Sequence, residues 1–323
     1  MNLSLPATKF PAARTFLLFW LQRTITRVAY QQNLILPIPL AYEPSFITRK
    51  SDLHTSRLTK KCSQTRENLV TKGSLLLTKV KENTRTLYIC PIAFQLSQSW
   101  ETSPIDIATQ IADRFSYLSS QELSANPKKY FALKVVPPGW LHLQLTDLGI
   151  VTWLQSLAEE QENLLTQNSS TSSPSSSQSP VPSPQSQVFS VQYVHARCCS
   201  LLRLAAREGT WGGAIAPEAI PWLNEKGELR LTHPAEGNLI SQLLSALDTL
   251  YCPESSKNPS WEKFASEISL SWEKFYSQCR IWGEVKTETP ELAQARLGLL
   301  LATQTMLQML LEEGLGIPAP GEL

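Results

Sequence analysis

Over residues 16–30 apolar side chains recur every three or four positions, so that Leu17, Trp20, Leu21, Ile25 and Val28 fall on one stripe. That period predicts an amphipathic helix. The run 36–41 (LPIPLA) is broken by proline and reads as extended. Periodicity is weak from there until residues 87–96 (LYICPIAFQL), which lead toward a second helix. Thr102 or Ser103 can cap that helix, Pro104 suits its first turn and Asp106 favours its positive end. Ile107, Ile111 and Phe115 then share a face at a spacing of four. After Asn126-Pro127, residues 131–136 (FALKVV) predict a strand, and Pro137-Pro138-Gly139 breaks it. In residues 140–145 (WLHLQL), Leu141, Leu143 and Leu145 alternate with Trp140, His142 and Gln144, the signature of a half-buried strand. A helix over 148–165 closes this part.

Beyond residue 187 the pattern is helical throughout. Residues 188–207 place Val191, Val194, Cys198, Leu201, Leu202 and Ala205 on one face, and Gly209 stops the helix. A Gly/Pro-rich connection runs from 209 to 237. Leu239, Leu243, Leu247 and Leu250 define a helix over 238–250, and Phe264, Ile268, Trp272, Phe275 and Tyr276 one over 261–282. A last helix opens with Thr289 as expected N-cap and Pro290 in its first turn, and ends by Gly314 and Pro318. Its uncharged stretch holds Thr303, Gln304, Thr305 and Gln308, which suits a buried bundle helix and not a membrane span.

Between the two patterns lie residues 166–187, TQNSSTSSPSSSQSPVPSPQSQ, with no charge, no aromatic group and Val181 as the one aliphatic side chain beyond Thr and Pro. Such a stretch buries too little apolar surface to offset the entropy of ordering it and predicts a disordered linker. The expected organisation is therefore an α+β domain over 13–165, a Ser/Pro linker over 166–187 and an all-α helical bundle over 188–323. A chain of 323 residues with 42% apolar and 18% charged residues has enough material for two such cores.

The net charge of +1 conceals an asymmetry: residues 49–85 carry ten Lys and Arg against three acids, a local +7, so the remainder sums to −6. Lys60, Lys61, Arg66 and Lys72 in this run are candidate contacts to a phosphate backbone; a solvated loop is the plainer reading. None of the six cysteines forms a C-x-x-C pair and the four histidines lie far apart, so neither a metal site, a cofactor site nor a disulfide framework is expected. A nucleophile built from Cys198 or Cys199 with His195 is conceivable, but buried thiols are more often small hydrophobes. Four basic residues precede the first acid, Glu43, as in an organelle transit peptide. The apolar period over 16–30 favours an ordinary first helix, and reduced thiols favour a cytoplasmic protein.

Three segments carry a family resemblance. VQYVHARCCSLLR resembles the opening helix of the DALR-type anticodon-binding domain of arginyl-tRNA synthetases. WEKFYSQCRIW and ARLGLLLATQTMLQMLLEEGLGIPAPGEL are similar to that domain's Phe-Tyr helix and to its closing helix with a Leu-Gly-aliphatic-x-x-Pro tail, in the same order. The final Gly-Glu-Leu departs from the family's usual ending in Met. More weakly, IAFQLSQSWETSPIDIATQIADRF and VVPPGWLHLQL resemble the N-terminal additional domain of the same enzymes, which contacts the elbow of tRNA.

The resemblance implies a tRNA partner, of arginine type or tRNA-like, and transfers by motif to particular positions. Trp140 and His142 fall on the aromatic and polar residues of the elbow contact, although Trp140 could equally be core. On the anticodon side the candidates are Gln192, Tyr193, Arg197 and Tyr276; packing and internal ion pairing are their plainer roles. The large catalytic domain that separates the two regions in the family is replaced here by the Ser/Pro stretch. No closely spaced histidine pair, KMSKS-like run or phosphate loop marks an ATP site. The expectation is a non-catalytic tRNA-binding protein without catalytic residues. The alternative is a protein-interaction module or an accessory subunit for a full-length synthetase.

Overall fold

The computed structural model describes residues 11–36, 77–82, 85–121, 126–168, 187–209, 220–252 and 259–323. The described elements fall into two compact units, the first ending at Thr146 and the second beginning at Asp147.

In the first unit, helix α1 (Ala13–Gln31) buries Leu17, Trp20, Leu21, Ile25 and Val28, the stripe its sequence defines, together with Phe16. Phe16 stacks on Phe131 at 5.9 Å and meets Tyr130 edge-on at 5.7 Å, so the helix is part of the core. Strands β1 (Thr78–Glu82) and β2 (Arg85–Cys90) form an antiparallel pair, and helices α2 (Ile92–Trp100) and α3 (Pro104–Gln121) follow. Ser103 caps α3 by accepting from the Asp106 amide at 3.3 Å, while Thr102 bonds the Trp100 carbonyl. The single turn α4 (Pro127–Tyr130) leads into β3 (Phe131–Val136) and β4 (Trp140–Leu145).

The sheet is antiparallel in the order β1-β2-β4-β3. On β4 the three leucines are buried and Trp140, His142 and Gln144 are not, the alternation the sequence predicts. At Gly139, between β3 and β4, an added Cβ would lie 2.7 Å from Pro104 Cβ and 2.8 Å from its carbonyl carbon, so glycine is required by close approach.

The second unit begins with α5 (Asp147–Asn168) and continues with α6 (Gln187–Arg207), α7 (Pro234–Tyr251), α8 (Trp261–Gln278), the short α9 (Glu284–Glu288) and α10 (Pro290–Met309). Helix α10 is buried nearly all round from Ala293 to Leu307, the behaviour of a central helix, and α5, α6 and α8 pack on it. It closes in a π turn, Leu310–Gly314. Gly298 admits Ile220 and Trp222, which would stand 2.6 and 2.8 Å from a Cβ there.

Helix α5 differs from the sequence-based organisation. It was expected to close the first domain, but it belongs to the second unit. The Trp222 indole donates to Gln155 Oε1 at 2.7 Å, and Asp147 accepts from the Leu229 amide at 3.0 Å. Ile150, Val151, Trp153, Leu154 and Leu157 are buried. The unit boundary therefore lies at Thr146/Asp147, and the Ser/Pro stretch joins two helices that pack on the same α10.

Smaller differences concern helix ends. Helix α7 starts before the expected 238 because the Glu236 carboxylate accepts the His233 amide at 2.8 Å, and the Ala235 amide donates to the His233 ring. Helix α8 stops at Gln278 instead of reaching 282. Thr289 stands at the N-cap of α10 but makes no side-chain cap, its hydroxyl donating to the Val285 carbonyl instead. Inside the unit, Arg296 pairs with the buried Glu236 at 2.7 Å and donates to the Arg280 carbonyl at 2.6 Å, which fixes α10 against α7 and the end of α8. Burial, with the Glu236 charge second, pushes the neighbouring Cys279 thiol up to about 11.

Candidate nucleic-acid interface

The solvent-facing stripe of α6 carries Phe189, Tyr193, Arg197, Ser200, Leu204 and Arg207 at one-turn spacing, aromatic at its start and bearing arginines further along. Phe189 and Tyr193 are about half exposed. Tyr276 of α8 stacks parallel on Trp272, with ring centroids 5.2 Å apart and planes 4° from parallel. Trp272 is buried, so the core holds the Tyr276 ring in place. The Arg197 guanidinium lies 5.9 Å from the Tyr276 centroid, a cation–π arrangement.

An open groove of about 400 Å³ runs beside this pair, lined by Arg197, Arg203, Arg207, Tyr276 and Trp282. Three guanidiniums beside held aromatic rings offer planar donors for phosphate oxygens and faces for unpaired bases. Arg203, Arg207, Trp282 and Phe189 were not among the sequence candidates. The four-residue spacing of Arg203 and Arg207 was readable, but it reveals neither the groove nor Trp282.

The remaining candidates have different surroundings. Gln192 is buried, and its amide donates to the Pro318 carbonyl at 2.9 Å, which commits it to the 315–323 segment. His195 is buried as well: Nδ1 donates to the Pro320 carbonyl at 2.9 Å, and Nε2 accepts from the Gln304 amide at 3.0 Å. Burial lowers its pKa, partly offset by the Pro320 bond, and keeps the ring neutral. The Cys199 sulfur lies 3.9 Å from the ring, but burial raises the thiol pKa of both Cys198 and Cys199. A thiolate nucleophile at this place is thus disfavoured.

In the first unit, Trp140 is 37% exposed and rests on Phe94, with centroids 4.9 Å apart. His142 is half-buried and stands opposite Lys134 on β3 and Ile89 on β2. Directly opposed residues share a face, so Trp140, His142, Gln144 and Lys134 lie on the same side of the sheet. Lys60, Lys61, Arg66 and Lys72 lie outside the described residues. Among the described residues no helix is long and apolar enough to cross a membrane, and no three His, Cys, Asp or Glu side chains gather as a metal site.

Comparison with known proteins bears on the second unit. The family model for the DALR anticodon binding domain matches residues 191–323. The chain is 36% identical over 134 residues to the arginine–tRNA ligase of Moorella thermoacetica, covering 41% of this chain and 22% of that protein. It is 34% identical over 134 residues to that of Synechococcus sp. (41% and 22% covered) and 35% identical over 122 residues to that of Gloeobacter violaceus (37% and 20%). The chain thus spans about a fifth of the length of these relatives. Over residues 191–323 the chain thus matches the DALR anticodon-binding domain model and is similar to the corresponding part of arginine–tRNA ligases.

Proposed function

We propose that this protein binds a tRNA, of arginine type or of tRNA-like fold, through the α6–α8 groove, and does so without catalysing aminoacylation. The observation that carries the reading is the Arg197–Tyr276–Trp272 stack beside Arg203 and Arg207, inside a domain of the anticodon-binding family. An unpaired base of an anticodon loop can stack on Tyr193 or Tyr276, and the arginines can take its flanking phosphates. Trp140 and His142 on the sheet of the first unit supply a second contact, to the tRNA elbow. The basic run 49–85 adds phosphate contacts through Lys60, Lys61, Arg66 and Lys72.

Absence of ligase chemistry is supported by the sequence: His54, His142, His195 and His233 form no closely spaced pair, and the interval between the two tRNA-contacting regions is Ser/Pro-rich. Arginine-dependent pyrophosphate exchange is accordingly expected to be absent.

Titration of labelled tRNA at several salt concentrations tests the proposal. Binding should weaken with a log–log slope of several units, and neutralising the lysines and arginines of 49–85 should flatten that slope. No binding at low salt, together with recovery of a full-length synthetase in pull-down, would instead identify an accessory subunit.

A further inference from the structure

Resting on the RNA-binding reading of the α6 groove, we infer that the 315–323 segment regulates that groove: Glu322 occupies the phosphate position at Arg203 and is exchanged for an RNA phosphate on binding.

The segment turns back from α10 through bonds from the Leu315 amide to the Leu310 carbonyl at 3.0 Å and from the Ile317 amide to the Leu311 carbonyl at 2.8 Å. It then runs along α6 in the direction of that helix. Gln192 holds the Pro318 carbonyl, His195 holds the Pro320 carbonyl, and Arg203 donates to the Gly321 carbonyl at 3.2 Å. Gln192 and His195 are buried, so the first two anchors are fixed points; from them the chain delivers Glu322 to Arg203, where the carboxylate sits 3.1 Å from Nη2.

The end of this strap is built differently from its root. Arg203 is 44% exposed and Glu322 83%, whereas Gln192 and His195 are 8% and 2% exposed. Exposed ion pairs are weak because water competes for both partners, so the carboxylate is displaceable while the anchors stay closed. Glu322 is the acid among the residues lining a groove that otherwise presents Arg197, Arg203 and Arg207. A carboxylate on a guanidinium offers two oxygens in the plane a phosphate would use. The chain thus carries its own weak competitor for the central arginine, and its effect is to raise the threshold for weakly bound polyanions.

The test is a double-mutant cycle with unfractionated tRNA at low salt, using the full chain. Glu322→Gln should tighten binding about two- to fivefold, and Arg203→Gln should weaken it. In the Arg203→Gln background, adding Glu322→Gln should change affinity by less than about 1.5-fold, because the carboxylate acts through that guanidinium. No tightening by Glu322→Gln, or equal tightening in both backgrounds as for a bulk charge effect, overturns the exchange while leaving RNA binding intact. Failure of both the parent chain and Glu322→Gln to bind tRNA overturns the RNA-binding reading along with it. Glu322 is exposed, so folding is not at issue, and circular dichroism of the variants checks this.

Discussion

Tyr276 owes its availability to Trp272. One ring is buried and flat against the other, so Tyr276 is held in a single plane at the groove edge before any ligand arrives. Replacing Tyr276 by Ala should weaken tRNA binding by about 5- to 150-fold, the range of one lost base stack of ~1–3 kcal/mol, whereas Phe should retain most of the affinity. Equilibrium titration of both variants at one salt concentration checks this. His195 belongs to a different class of residue, since its neutral ring ties α6, α10 and the 315–323 segment together. Its pKa is depressed below 6.5 in the folded state, so the unfolded chain takes up the proton first as pH falls. The contribution of His195 to stability should be complete above pH 6.5 and decline as pH falls toward the folded-state pKa. Urea denaturation of the parent and His195→Gln across this window should show that the slope difference resides in the parent. The family resemblance puts Gln192, Tyr193 and Arg197 forward together, yet α6 turns Gln192 inward and leaves Tyr193 and Arg197 outward. A helical period assigns faces, but the hydrogen bond to Pro318 comes from the far end of the chain.

Strand β4 was readable because three leucines alternate with three polar or amphipathic residues, and one buried face imposes that period. The β1–β2 pair was not readable. In TKVKE and RTLYIC, Lys79 occupies a strand at the sheet edge, where charge guards against unwanted pairing, and the polar residues of TKVKE erase the apolar signal. The turn between β3 and β4 was visible as Pro-Pro-Gly, but its tightness against α3 was not. Gly139→Ala should destabilise the first unit by about 1–3 kcal/mol, since the methyl group meets Pro104 at both side chain and backbone. Thermal unfolding of the variant measures this, and an unchanged midpoint would show that α3 yields freely. Helix α5 was found in the sequence and placed with the wrong neighbours. Its apolar face says that it packs on something; only Gln155 meeting Trp222, and Asp147 meeting Leu229, say on what.

For the molecule as a whole, the two fold classes were legible: an α+β region with one small antiparallel sheet, then a helical unit matched by the DALR family. Composition located the Ser/Pro stretch but misjudged what it separates. Low apolar content shows that a stretch can be left out of a core, not whether the helices on either side share one. Because α5 and α6 both rest on α10, that stretch is a natural place to interrupt the chain. A protein expressed as two pieces, 1–168 and 187–323, should reassemble without a covalent bond. Co-elution of the pieces on size exclusion, with tRNA affinity close to that of the intact chain, is the expected outcome; independent elution would mean that α5 is held only by connectivity. If the pieces do find each other, reporters can be installed on the two new ends, and the proposed RNA binding can be read out as a split sensor.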